Sequence, residues 1–220
     1  MRYRYEMEVV EEINKDKRPI IMVITGDGRA EFRRLKVFAE RYDGEKVLWF
    51  PLKPIFPLKR KSEKKTGVNV LEVLNVYPGK YKLTQFLFVV DREHFKSENP
   101  TKKIEEFLRG KKGINVSSVE QMNGGALRIS CKVGPYDVVV YMAILGKIKS
   151  SEEELAELIG LELGLEVEAN KRRIKEVLRS RNMREEDLIA KAKDKNLREA
   201  FPSLSSALTR IREEDCSLNC

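Results

Sequence analysis

Two short apolar segments stand out in the hydrophobic pattern of the chain, at residues 20–25 and at residues 86–90. Both are rich in β-branched or aromatic residues, which is typical of strands covered on both faces in the middle of a parallel sheet. The first segment is broken by Gly26-Asp27-Gly28, and the second stops at Asp91. Because ligands of open α/β sheets bind outside the carboxyl ends of the strands, these two ends are the first candidates for chemistry.

The segments around them alternate between helical and strand-like periods. Apolar residues recur at helical spacing between Phe32 and Tyr42, and residues 46–50 return to a strand-like run. A strand, a glycine-containing turn, a helix and a second strand make a βαβ unit, whose crossover is right-handed. Residues 68–77 then predict a short helix that ends at Pro78-Gly79.

The next part of the chain predicts one helix followed by three strands. Asn99-Pro100 is a helix start, because Asn caps the helix and Pro fits its first turn, and the helix ends at Gly110. Strands are predicted at residues 114–122, 126–133 and 137–145. Glycine turns between these strands indicate a β-hairpin or meander. The predicted fold class is therefore α/β, with a central, mainly parallel sheet and flanking helices.

Helices are predicted from Ser151 onward. Ser151 and Glu154 have the spacing of a capping box, and apolar residues then recur at helical spacing as far as Ile211. We therefore divide the chain near residue 150, into an α/β region (residues 1–150) and a helical C-terminal region (residues 151–220).

Residues 51–67 interrupt this rhythm and concentrate positive charge. Prolines at positions 51, 54 and 57 favour an extended backbone. Against Glu63 alone, this segment carries six basic residues: Lys53, Lys59, Arg60, Lys61, Lys64 and Lys65. We predict an exposed basic arm inserted into the α/β region, whose last five basic residues are candidates for nucleic-acid binding. A second basic cluster surrounds Arg172 and Arg173, which are candidates for the same role.

Composition narrows the class of partner. The net charge of +8 and the isoelectric point near 9.3 favour an anionic partner, DNA or RNA first and a membrane surface second. The alternative is a soluble protein that is simply basic. With 35% charged residues and only two glutamines, Gln85 and Gln121, the composition follows the trend of heat-adapted proteins.

Two further features predict a cytoplasmic protein that does not enter a membrane. No apolar run approaches the roughly 20 residues that cross a bilayer, and the first residues lack the apolar region of a signal peptide.

The three cysteines lack the spacing of a zinc site. Cys131 lies in a predicted strand, as a small buried hydrophobe. Cys216 and Cys220 form a C-x-x-x-C pair that would be oxidised, bind a metal or belong to a frayed tail.

Asp91 and Glu93 are the candidate metal ligands. They lie two residues apart beyond a strand end, so alternation predicts both side chains on one face, where a divalent cation would relieve their repulsion. Mg²⁺ accepts one or two carboxylates and keeps water molecules for phosphate oxygens. The alternative is that Asp91 caps a turn while Glu93 is solvated.

The order of these elements resembles the Toprim fold, the family of topoisomerase catalytic domains, primase cores and nucleases of the overcoming-lysogenisation class. Its pattern is a strand that ends in an acidic residue beside glycine, followed after helices and a strand by D-x-D at a later strand end. Here the matches are Gly26-Asp27-Gly28 and Asp91-Arg92-Glu93, and the resemblance covers roughly residues 19–122. The chain departs from the pattern where Asp27, or Glu31 one turn later, replaces the usual Glu, and where Glu93 replaces the second Asp.

The resemblance implies a Mg²⁺-dependent nuclease or phosphodiester transferase, with Mn²⁺ as a possible substitute. Asp27 or Glu31 would act as the general acid/base or orient the metal, and Asp91 and Glu93 would hold it. Two alternatives remain open on the same sequence. One is a nucleic-acid-binding module with a degenerate acidic site, and the other is a scaffold that binds a protein partner through its C-terminal helices. His94, the only histidine, is assigned no catalytic role.

Overall fold

The structure, a computed structural model, describes residues 2–5, 20–26, 29–42, 46–50, 67–95 and 99–214, with the backbone alone for residues 2–5 and 29–31. The strands of this part of the chain are β1 (Arg2–Tyr5), β2 (Ile20–Thr25), β3 (Val47–Phe50), β4 (Gln85–Asp91), β5 (Ile114–Gln121), β6 (Leu127–Val133) and β7 (Tyr136–Leu145). The α-helices are α1 (Arg29–Arg41), α2 (Tyr77–Tyr81), α3 (Pro100–Arg109), α4 (Ser151–Leu163), α5 (Lys171–Ser180), α6 (Glu185–Lys191), α7 (Asp194–Ala200) and α8 (Pro202–Glu213). Three 3₁₀ segments span Gly67–Asn75, Arg92–Phe95 and Asn123–Gly125.

The strands form one mixed sheet in the order β1-β3-β2-β4-β7-β6-β5. The first five strands in this order are parallel, while β6 is antiparallel to both of its neighbours. The predicted α/β class, with a mainly parallel central sheet and a meander toward one edge, is confirmed. The meander forms because β5, β6 and β7 are joined by short glycine-containing turns, which only antiparallel neighbours allow.

Both faces of the sheet are covered, as the two fully apolar segments predicted. One face packs against α1 and the helices α4 to α8, through strand residues such as Val23, Leu87 and Tyr141. The other face packs against the 3₁₀ segment Gly67–Asn75 and α3, through strand residues such as Met22 and Phe88. The apolar sides of the C-terminal helices are thus buried in the same core as the sheet. The predicted boundary near residue 150 coincides with the change from strands to helices, and the core continues across it.

Two local predictions about helix starts have opposite outcomes. The predicted cap of α3 is confirmed, because the Asn99 side chain accepts hydrogen bonds from the backbone N–H groups of Thr101 (2.9 Å) and Lys102 (3.4 Å). The predicted capping box from Ser151 to Glu154 is wrong, because α4 begins one residue earlier than that box requires. Ser151 is already its first helical residue, and the Glu154 side chain is buried.

The predicted helix at residues 68–77 is also corrected. Residues Gly67–Asn75 adopt the tighter 3₁₀ conformation, and Pro78-Gly79 lies inside the short helix α2. Proline is tolerated there because it falls in the first turn, where its missing N–H has no intrahelical partner to lose.

No helix in the described part of the chain combines the length and the apolar character that crossing a bilayer requires.

Candidate functional site

The carboxyl ends of β2 and β4 lie side by side at a topological switch point. The two strands are parallel neighbours, with Thr25 opposite Val89. After β2 the chain crosses one face of the sheet through α1 to reach β3. After β3 it crosses the other face through the 3₁₀ segment Gly67–Asn75 to reach β4. A crevice at such a point is the usual ligand site of an open α/β sheet. The two apolar segments are therefore adjacent, parallel strands.

Asp91 is the last residue of β4 and points to the start of a helix. Its side chain is buried, and its Oδ1 accepts a hydrogen bond from the backbone N–H of Ser151, the first residue of α4, at 3.1 Å. A carboxylate in this position compensates an N–H group that the helix leaves without a partner and interacts favourably with the helix dipole. Asp91 therefore has a structural role at the start of α4. The alternative interpretation of the sequence predicted a structural role as well, but as the cap of a turn.

The residues after Asp91 do not continue the strand. Arg92–Phe95 form a 3₁₀ turn, in which the Glu93 side chain is exposed while Asp91 is buried. The turn is held by the Glu93 N–H, which donates to the carbonyl oxygen of Lys149 at 2.8 Å. The premise that strand alternation places Asp91 and Glu93 on one face is therefore wrong.

His94 is packed tightly against Gly67. A Cβ atom on Gly67 would lie 2.5 Å from the His94 Nδ1, and Gly67 also has a φ of +57°, so only glycine fits. The Gly67 N–H donates to the carbonyl oxygen of Gly26 (3.1 Å), and the Gly26 N–H donates to the carbonyl oxygen of Val89 (2.9 Å). The end of β2 and the turn after β4 are thus joined through Gly67.

Of the remaining predicted site residues, the structure describes some in full, one by its backbone alone, and others not at all. Asp27 and the arm residues Lys59, Arg60, Lys61, Lys64 and Lys65 lie outside the described residues, as do Cys216 and Cys220. Glu31 lies in α1, with its backbone alone described. Arg172 and Arg173 are exposed on α5 and both form ion pairs with Glu176, at 2.9 Å and 3.1 Å. Phe50, just before the arm, and Gly67, its last residue, are described. Both lie at the carboxyl edge of the sheet.

Arg34 and Glu154 complete the set of polar residues behind Asp91, and sequence analysis missed both. Arg34 is buried, and its Nη1 donates to the Ser151 Oγ at 2.7 Å while its Nε donates to Glu185 at 2.9 Å. We refer to Asp91, Ser151, Glu154 and Arg34 as the strand-end site. The sequence carried no signal for Arg34, because its partners lie 117 and 151 residues away in the chain.

Glu154 is a buried carboxyl group with an unsatisfied oxygen. Its side chain is 2% exposed, and its Oε2 has no hydrogen-bond partner within the described part of the chain. Burial raises the pKa of Glu154 well above its usual range, and the neighbouring carboxylates of Asp91 and Glu157 raise it further. The Gly146 N–H and the Arg34 guanidinium act in the opposite direction on this pKa. The environment of Glu154 therefore favours its protonated form.

This protonation predicts a pH dependence of folding stability. Between the ordinary carboxyl pKa, about 4.3, and the raised pKa of Glu154, the folded chain keeps a proton that the unfolded chain loses. Stability should therefore fall as the pH rises through this window, by up to about 1.4 kcal/mol per pH unit. Glu154→Gln removes the titration, so its stability relative to the unmodified protein should increase from pH 5 to pH 8 in urea unfolding.

Glu153→Gln is the matched control for this measurement. Its carboxylate is exposed and accepts hydrogen bonds from the N–H groups of Ile148 (2.7 Å) and Lys149 (3.0 Å). This variant should be destabilised by a similar amount at pH 5 and pH 8. If the stability change caused by Glu154→Gln is also the same at pH 5 and pH 8, the buried carboxyl does not keep its proton in this range.

The donor atoms at this edge are of the type that Mg²⁺ prefers. Mg²⁺ and Mn²⁺ bind carboxylate oxygens, and Asp91 and Glu93 supply them. Within the described residues, however, no three His, Cys, Asp or Glu side chains are arranged to hold a metal ion. Further donors would have to come from Asp27 and Glu31, whose side chains are not described.

Comparison of the chain with protein-family models, with curated proteins and with solved structures finds no match.

Proposed function

We propose that this protein acts on nucleic acid at the carboxyl edge of its sheet, as a Mg²⁺-dependent nuclease or phosphodiester transferase of Toprim type. The observation that carries the proposal is the parallel pairing of β2 with β4, which places the carboxyl ends of the two strands, at Gly26 and Asp91, side by side at the switch point. Phe50 and Gly67, where the basic arm begins and ends, lie at the same edge. A phosphate at this edge would therefore be close to the attachment points of the arm.

In this proposal the residues of the chain have distinct roles. Asp91 and Glu93, with Asp27 or Glu31, would hold the metal ion, which supplies stabilisation of the negative charge that develops on a phosphate. α1 begins at Arg29, and the N–H groups and dipole of its N-terminus favour a bound anion. Arg34 and Ser151 would keep the Asp91 carboxylate in place from behind.

A second candidate function is a nucleic-acid-binding module without catalysis. It is favoured by the contrast between Asp91, which is buried against the start of α4, and Glu93, which is exposed. In such a module Asp91 stabilises the fold, and the basic arm provides affinity. Both candidates require nucleic-acid binding, and cleavage distinguishes them.

Nucleic-acid binding is tested through the arm. Changing Lys59, Arg60, Lys61, Lys64 and Lys65 to Glu should weaken binding to DNA and RNA and flatten its salt dependence, because fewer counterions are released. Each lost phosphate contact should reduce the slope of log K against log salt by about 0.9 for a duplex and about 0.7 for a single strand. Fluorescence anisotropy at several salt concentrations measures this slope.

Two double variants distinguish a direct contact between the arm and nucleic acid from a general effect of net charge. Lys64→Glu/Lys65→Glu alters the arm, whereas Lys112→Glu/Lys132→Glu alters exposed residues at the opposite edge of the sheet, where β5 begins and β6 ends. Both double variants change the net charge equally. The arm pair should lower the slope more than the control pair does. Equal slopes would mean that the arm is not the binding surface, and an unmodified protein that binds no nucleic acid would remove the proposal.

A further inference from the structure

A cavity of about 240 Å³ lies between α1, α5 and α6. Four basic side chains line it: Arg33, Lys175, Arg179 and Arg184. Two apolar side chains, Leu178 and Met183, are also part of its lining, and Leu178 is fully buried. This volume corresponds to about eight water molecules of the bulk liquid. We call it the cation cavity.

The cation cavity has an excess of positive charge. Two of its basic residues are paired, since Arg33 lies 3.3 Å from Glu186 and Arg184 lies 3.3 Å from Asp187. Lys175 and Arg179 have no ion-pair partner within the described part of the chain. Glu185 also lines the cavity, but its carboxylate is bound to the buried Arg34. Two cations therefore remain to attract an anion.

The position of these two cations follows from the period of α5. Lys175 and Arg179 are four residues apart, which places them on neighbouring turns of α5, and both are exposed while Leu178 beside them is buried. Arg172 and Arg173 of the same helix are both bound to Glu176. One helix thus carries a basic pair that lines a cavity and a basic pair that shares one carboxylate.

The cation cavity is connected to the strand-end site by a short series of hydrogen bonds. Glu185 of the cavity accepts from Arg34 at 2.9 Å, and Arg34 donates to the Ser151 Oγ at 2.7 Å. The Ser151 N–H in turn donates to Asp91 at 3.1 Å. Three hydrogen bonds therefore link a residue that lines the cavity to the carboxylate at the end of β4.

We propose that the cation cavity binds a backbone phosphate of a single nucleic-acid strand, next to the phosphate held at the strand-end site. Lys175 and Arg179 bind the phosphate oxygens, while Leu178 and Met183 contact the apolar side of the sugar or base. The identity of this ligand depends on the proposed function, because the strand is the same one that reaches Asp91. The cavity gives the protein a preference for single-stranded substrate, since a duplex cannot enter so small a space.

The test compares two double variants on the same helix. Lys175→Gln/Arg179→Gln removes the two unpaired cations. Arg172→Gln/Arg173→Gln removes the same charge from the two arginines that are bound to Glu176. Binding of fluorescein-labelled oligothymidylate and oligouridylate of about twenty nucleotides is measured by anisotropy against salt. The cavity variant should lower the salt slope by about 0.7, from one single-strand phosphate contact. The control variant should change it by less than half as much, and melting temperatures confirm that both variants are folded.

The outcomes separate this inference from the proposed function. If both variants change the slope equally while the arm variant still weakens binding, the cavity is not a phosphate site and the proposed function stands. The same conclusion follows if neither variant changes the slope. If the unmodified protein binds neither oligonucleotide nor duplex, both proposals are overturned. A larger loss for single strands than for duplex in the cavity variant alone supports the cavity as the single-strand site.

Discussion

Replacing Asp91 with Asn should lower Mg²⁺-dependent cleavage of nucleic acid by about a hundredfold or more while leaving the protein folded. The loss is this large because residues that merely support a metal ligand already contribute up to about a hundredfold, and Asn removes the charge of the ligand itself. Cleavage of labelled DNA and RNA with Mg²⁺ or Mn²⁺ measures the effect.

The fold should tolerate this change because Asn retains the acceptor that Asp91 uses. The Asn oxygen still accepts the hydrogen bond from the Ser151 N–H, which is 3.1 Å from Oδ1 in the structure. Loss of the charge at the start of α4 costs about 0.3–1 kcal/mol. The melting temperature should therefore change by no more than about 4 °C.

Glu93→Gln is the companion variant. Glu93 is exposed, so its replacement should leave the melting temperature unchanged. If Glu93 holds the metal, cleavage falls in this variant as well. Equal cleavage by the unmodified protein and by Asp91→Asn would exclude this site from the chemistry. An unmodified protein that binds nucleic acid but cleaves none would favour the binding module.

Gly67→Ala should cause a large loss of stability, about 3 kcal/mol. The residue has a φ of +57°, where a side chain costs roughly 1–2 kcal/mol, and the new Cβ would lie 2.5 Å from the His94 ring. The remaining cost comes from displacing this ring, as in an overpacked core. For a chain of 220 residues we expect the melting temperature to fall by roughly 6–12 °C.

A second substitution separates the two parts of this cost. In Gly67→Ala/His94→Ala the ring is absent and only the contact with the Cβ of position 94, at 3.1 Å, remains. Most of the steric part should therefore be relieved, while the conformational part persists. The double variant should therefore be destabilised by less than the two single variants together. Gly146→Ala is a useful contrast, because its Cβ would lie 2.5 Å from the backbone N of Ser150, which no side-chain substitution can remove. Strict additivity of Gly67→Ala and His94→Ala would contradict the contact.

The candidate site could be predicted from the sequence only in part. Asp91 was identified because it ends an apolar segment long enough for one buried strand, and that inference depends on neighbouring residues alone. Glu93 was placed wrongly because alternation applies only while the strand continues, and the 3₁₀ turn begins at Arg92. Glu154 was assigned to a capping box on its spacing from Ser151. Its actual environment is set by Asp91 and Gly146, which the packing of α4 on the sheet brings to it.

The sequence by itself determined the class of the fold and the order of its elements. The apolar segments at residues 20–25 and 86–90 require cover on both faces, and a parallel sheet with helices on each side provides it. The cap at Asn99 and the meander at residues 114–145 follow from local residue preferences in the same way.

Only the tertiary structure decided which polar residues meet. Arg34 is joined to Ser151 and Glu185 across more than a hundred residues of chain, so no local pattern records these contacts. The difference between Arg179, which lines a cavity, and Arg172, which is paired with Glu176, also depends on where α5 lies against α1 and α6. Hydrophobic periodicity specifies which face of an element is buried, whereas the partners of a charged side chain depend on how the buried faces are packed together.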